Sequence, residues 1–177
     1  MIVIAAGWGA LHPAYGASTI LADEYRVKAE YLFRFLAYVE WPENTAVNGE
    51  TDLVICYRGD APMTMALQQL EGRQSGNRRT TVREVKGAGE LGGCRMVFLS
   101  AVGKRELEQF VAGARERHVL TVGDRKGFAR SGGIIGFVIR GNNIRFEVNN
   151  QAARQAGLQI SSHLLKLATA VTERDDR

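Results

Sequence analysis

Few residues in this chain have the type and spacing to make or break bonds. Ser161, Ser162 and His163 stand side by side, and a hydroxyl beside an imidazole could supply a nucleophile and its general base. Neighbouring helical residues point in different directions, so these three cannot converge. The serines read as helix caps and His163 as a surface or core histidine. Cys56, Cys94, His12, His118 and His163 lack the spacing of metal ligands. Gly87, Gly89, Gly92 and Gly93 do not form G-x-G-x-x-G, and like Gly132 and Gly133 they precede a predicted strand, the wrong context for cradling phosphate. Asp60 and Asp124 end predicted strands and could line a cleft, although capping accounts for Asp60. The expectation is no catalytic residue, no metal and no cofactor, in a protein that works by binding.

The cysteines carry the other possible chemistry. Cys56 lies in DLVICYR and Cys94 opens CRMVFL, both apolar contexts. A disulfide in an oxidising compartment and two buried free thiols both suit such positions. A bridge closing a loop of this length would contribute roughly 3–4 kcal/mol. Compartment is suggested by residues 1–17, MIVIAAGWGALHPAYGA, which contain no acid, lysine or arginine. Ile2 to Leu11 has the length of a signal-peptide apolar region and falls short of the roughly 20 residues that span a bilayer. Ala14, Gly16 and Ala17 offer small residues for cleavage. Residues 1–17 therefore read as the remainder of a signal peptide without its positive start, against the alternative of a cytosolic N-terminal segment.

A length of 177 residues, 45% hydrophobic and 24% charged, fits one globular domain with one sizeable core. The net charge of +4 is spread along the chain. Its densest cluster, Arg73, Arg78, Arg79 and Arg83, straddles a polar loop and reads as a solvated basic surface.

Positioning elements follow from periodicity. Asp23 to Trp41 predicts one long amphipathic helix, with Ala29, Leu32, Phe33, Leu36 and Val39 on its apolar stripe and Pro42 as the stop. Leu53 to Arg58 predicts a buried strand, Pro62 to Leu70 a helix with proline at its start, and Thr80 to Lys86 a parallel strand. Met96 to Leu99, a helix over Lys104 to Arg117 and a strand at Val119 to Val122 continue the alternation. Ile134 to Ile139 and Ile144 to Val148 flank Arg140-Gly141-Asn142-Asn143, a hairpin signal. Helices over Asn150 to Ala156 and Ser161 to Val171 finish the domain, set at 23–172, before a frayed tail at 173–177. The predicted class is α/β: a single domain with a mainly parallel central sheet, a C-terminal β-hairpin and flanking helices.

The last two helices resemble a DNA-binding helix–turn–helix. The second, however, is too apolar through Leu164, Leu165, Leu167, Ala168 and Val171 to read a groove. Packing against the sheet is the better account, and no nucleic-acid partner is expected.

KAEYLFRFLAYVEWP, LVICYRGD, GCRMVFLS, VLTVGDRKGFARSGGIIGFVI and IRFEVNNQAARQAGLQISSHLLKLA occur in this order. As an ordered series over Lys28 to Ala168 they resemble the YfiR family. That resemblance implies a periplasmic protein of a Gram-negative cell, often a homodimer. It would repress an inner-membrane diguanylate cyclase through the cyclase's periplasmic region, with an outer-membrane lipoprotein able to sequester it and its disulfide state affecting repression. It also implies a Cys56–Cys94 bridge. Some relatives bind small aromatic molecules near the charged face of the final strand, where Glu147 is the position that carries over. Tyr31, Phe35, Tyr38 and Trp41, with the region around Phe128, are expected to offer a partner-contact patch; among these, Tyr38, Trp41 and Phe128 are the designated contact residues.

Overall fold

The computed structural model describes residues 16–42 and 52–173, with side chains from Asp23 onward. Residues 1–15 of the signal-peptide reading, His12 and residues 174–177 lie outside the described residues. Helix α1 (Gly16–Phe35) buries Ala29, Leu32 and Phe35, with Leu36 and Val39 beyond its end. The helix stops six residues short of the expected Trp41. The amides of Ala37 and Tyr38 donate to Arg34 and Phe35, closing a tight turn. The chain then extends as β1 (Val39–Glu40), antiparallel to β9 (Gln159–Ile160), with Val39 opposite Ile160. Val39 is buried on either reading, so the apolar stripe alone could not separate helix from strand.

The sheet begins with β2 (Asp52–Arg58), α2 (Ala61–Gln68), β3 (Gln74–Ser75) and β4 (Arg78–Glu84). It continues through β5 (Met96–Leu99), α3 (Lys104–Glu116), β6 (Leu120–Gly123), β7 (Ile135–Arg140) and β8 (Asn143–Asn149). The chain closes with α4 (Asn150–Gln155), β9, α5 (Ser162–Leu167) and β10 (Ala170–Thr172). The strand order is β10-β8-β7-β6-β5-β2-β4-β3. β4, β2, β5, β6 and β7 run parallel, while β3 pairs antiparallel with β4 and β8 antiparallel with β7. Every residue of β5 and β6 is buried, as the middle of a doubly covered parallel sheet requires. The expected α/β class and C-terminal hairpin are both present. Its two-residue turn places Gly141 at φ +58, the position that favours glycine.

Further elements depart from expectation. The loop over Gly72 to Asn77 contains β3, paired to β4 through Ser75 and Arg78. The last helix ends at Leu167 instead of Val171. Ala168 is extended, and the amide and hydroxyl of Thr169 both donate to the Phe146 carbonyl. The chain is thereby drawn into β10, parallel to β8. A strand also separates α4 from α5, and each helix has six residues, so the helix–turn–helix reading fails. Ala153, Leu158 and Leu164 join the core instead.

Alternation along the strands splits the apolar residues between two layers. Ile55, Tyr57, Met96, Phe98, Leu120 and Val122 face α1, α2, α4 and α5. Cys56, Val97 and Leu99 face α3 through Leu107, Phe110 and Ala114.

Candidate functional site

The carboxyl end of β6 is where the sheet meets α1. β6 ends at Gly123, and Asp124 opens a loop that returns at β7. Phe128 plugs that loop into the α3 layer. A Cβ on Gly123 would fall 2.3 Å from the ring, and one on Gly133 2.0 Å, so both positions require glycine. Asn149 ties the same loop to the next element. Its Nδ2 donates to Ala129 O at 2.9 Å, while its Oδ1 accepts from Ala152 N at 2.8 Å and caps α4. The loop is preorganised by a ring, two glycines and one amide.

On α1, Lys28 is 4% exposed, an unusual place for an ammonium. Its Nζ lies 2.8 Å from Asp124 Oδ2 and 2.6 Å from Glu24 Oε1, and 4.9 Å from the centre of the Tyr25 ring. Burial works to lower the Lys28 pKa, but hydrogen bonds from the two carboxylates outweigh it and hold the ammonium above the ordinary lysine value. The Tyr25 hydroxyl donates to Asp60 Oδ2 at 3.3 Å, and burial followed by the Asp60 charge pushes this phenol up.

These groups border a cavity of about 530 Å³, whose lining includes Lys126, Arg130, Phe137, Ile139, Ile144 and Glu147. The Glu147 side chain is 14% exposed and 3.8 Å from Arg140 Nη2. A second groove, about 600 Å³, runs between α1 and the β7–β8 hairpin and shares Glu24, Ile139 and Ile144 with the first. Volumes of this size suit small ligands. Among the described residues no cluster of histidine, cysteine or carboxylate could hold a metal ion. Ser161 accepts from Leu164 N as a cap, and His163 stacks on Tyr38 with ring centres 5.4 Å apart.

The expected site residues divide. Glu147 lies on the cavity. Tyr38 and Trp41 follow the other end of α1, which lies about 10 Å of helix rise beyond Lys28. Tyr38 is 36% exposed, and Trp41 is partly buried, its ring centre 6.0 Å from the Arg95 guanidinium. Phe128 is a correction: at 1% exposure it is core and offers no contact surface, because the flanking glycines let its ring sink against the sheet. Phe35 is likewise core. Cys56 and Cys94 form a disulfide joining β2 to the turn that precedes β5, with their Cα atoms 5.8 Å apart. Arg83 lies over it, its Nη2 3.2 Å from the Cys94 sulfur and 3.5 Å from the Cys56 sulfur.

Reasoning from sequence missed Lys28 as a site residue. A signal was available: Lys28, Leu32, Phe35 and Val39 share one helical stripe, and a lysine on a buried stripe needs a carboxylate partner.

Residues 25–169 match the family described as YfiR/HmsC-like. No curated protein gives a significant match. Among solved structures, a conserved domain protein from Vibrio cholerae O1 biovar eltor str. N16961 is similar at a TM-score of 0.53 and 10% identity. That alignment covers 84% of this chain and 60% of the other, so this chain spans less than two thirds of that relative's length. At such identity the likeness speaks for the fold alone. An ABC domain in complex with L-Trp from Streptococcus pneumonia reaches a TM-score of 0.47 at 9% identity, covering 68% of this chain and 55% of the other, which is too low to carry an argument.

Proposed function

The chain belongs to the YfiR/HmsC-like family, and from that premise we propose that it is a periplasmic repressor. It binds the periplasmic sensor region of an inner-membrane diguanylate cyclase and holds down cyclic-di-GMP synthesis. The family match over residues 25–169 carries this reading. The disulfide supports it, since oxidising compartments preserve such bonds. Among the described residues no helix is long and apolar enough to cross a membrane. A binding protein regulates only by preferring one state of its partner, so repression requires tighter binding to the inactive cyclase. Tyr38 and Trp41 are the proposed contacts, with an outer-membrane lipoprotein as the sequestering partner and a homodimer as the working unit. Deleting the gene raises cyclic-di-GMP only while the cognate cyclase is intact; unchanged levels overturn the reading. Pull-down from membranes with mass spectrometry names the partners.

A second reading is favoured by the cavity beside Glu147: a ligand-binding module of another membrane sensor or receptor. It predicts normal cyclic-di-GMP in the deletion strain and a small molecule that raises the protein's melting temperature.

A further inference from the structure

Charges around the cavity at the carboxyl end of β6 sort into those that are engaged and those that are not. Glu24 and Asp124 both accept from the Lys28 ammonium, and Arg140 lies within ion-pair reach of Glu147. Lys126 and Arg130 line the same cavity, are exposed, and have no hydrogen bond or ion pair among the described residues. Their placement is nonetheless fixed. They flank Phe128, whose ring is seated against Gly123 and Gly133, and the Ala129 carbonyl between them is held by Asn149. Two unengaged cations on an anchored loop bind an anion without the cost of ordering that loop. On the same cavity, Ile139 is 61% exposed and Ile144 is partly buried, an apolar strip left open among the described residues.

The geometry points to a binding site for a small amphiphilic anion, its carboxylate or phosphate head on Lys126 and Arg130 and its apolar body along Ile139 and Ile144. This rests on the cavity being a ligand site and is independent of cyclase repression. Polarity follows from the floor. Two carboxylates share one ammonium there, so the floor keeps a negative excess that repels the head and leaves it at the mouth. Charge-assisted hydrogen bonds from a guanidinium and an ammonium are stronger than neutral ones and select an anionic head over a neutral one.

The test uses the disulfide-bonded full chain and a matched series of octanoate, octyl phosphate, octanol and octylamine below their micellar concentrations, read by titration calorimetry. Octanoate and octyl phosphate bind saturably, about ten-fold tighter than octanol, with octylamine weakest. Raising salt from about 50 to 500 mM weakens the two anions and leaves octanol unchanged. The Lys126→Glu/Arg130→Glu variant, checked for an unchanged melting temperature, prefers octylamine to octanoate. Absence of saturable anion binding, equal affinity across the series, or an unaltered preference in the variant overturns the proposal. A cyclase assay on the same preparations is read separately, so loss of repression and loss of anion binding are told apart.

Discussion

On one face of the sheet, four helices bury a large apolar layer that includes Leu32, Phe35, Phe98, Phe137 and Phe146. On the other, α3 covers a smaller layer that contains the Cys56–Cys94 bridge and the Phe128 plug. Aromatic contacts illustrate the contrast. Phe35 meets Phe137 and Phe146 at 6.0 and 5.2 Å between ring centres, a network dense enough to hold itself together. The thinner face relies on a covalent staple and on glycines that admit one ring. Apolar burial scales with area, so a smaller layer contributes less and gains more from a cross-link. The larger face can instead tolerate a cavity and a buried lysine at its margin.

Removing the bridge should give the largest effect. Cys56→Ala/Cys94→Ala is expected to lose about 4 kcal/mol of unfolding free energy, from closing a loop of 38-residue separation. Urea titration with and without reductant checks this, and a double variant as stable as the parent would mean the α3 face holds without its staple. Phe128→Ala empties the glycine-lined seat and should cost about 3 kcal/mol, on the same face. It should also loosen the Asp124-to-Arg130 loop, seen as faster amide exchange there.

Across the sheet, Lys28→Met leaves Glu24 and Asp124 facing each other and should cost about 2 kcal/mol at neutral pH. The sign with pH follows from the raised folded value. Stabilisation by the ammonium is fully present below the unfolded value near 10.5 and disappears as pH rises through the higher folded value. Melting curves of parent and variant should therefore converge above that range; a gap that persists there assigns the loss to packing. Asn149→Ala, which unties the loop from α4, should cost about 1 kcal/mol. Smallest is Glu30→Gln. Its hydrogen bond to Arg73 lowers the Glu30 pKa, so the contribution is present above the usual value of 4.5 and fades as pH falls through the lower folded value. At 45% and 37% exposure the pair is worth well under 1 kcal/mol, resolved only by a double-mutant cycle.

Much of the architecture was legible in the chain. The buried runs around Ile55, Val97 and Leu120 marked the parallel strands, and Arg140-Gly141-Asn142-Asn143 marked the hairpin, because local periodicity and turn chemistry act over a few residues. β1, β3, β9 and β10 were not legible. Each has two or three residues and exists because a distant segment supplies its hydrogen bonds, as Gln159–Ile160 does for Val39–Glu40. Glu147 was placed on the charged face of its strand and does lie on the cavity. Phe128 was misplaced because an aromatic in a glycine-rich loop gives no sign of facing inward until the glycines are seen stacked on its ring.

Residue order alone settled the α/β alternation and the family to which the chain is similar, since these depend on local spacing and on the order of segments. Only the folded chain decided that the two cysteines meet, that Lys28 is held between two carboxylates, and that Lys126 and Arg130 flank an anchored ring with no partner among the described residues. Those outcomes rest on contacts between residues up to 96 positions apart, and no local pattern encodes which distant charge arrives beside which.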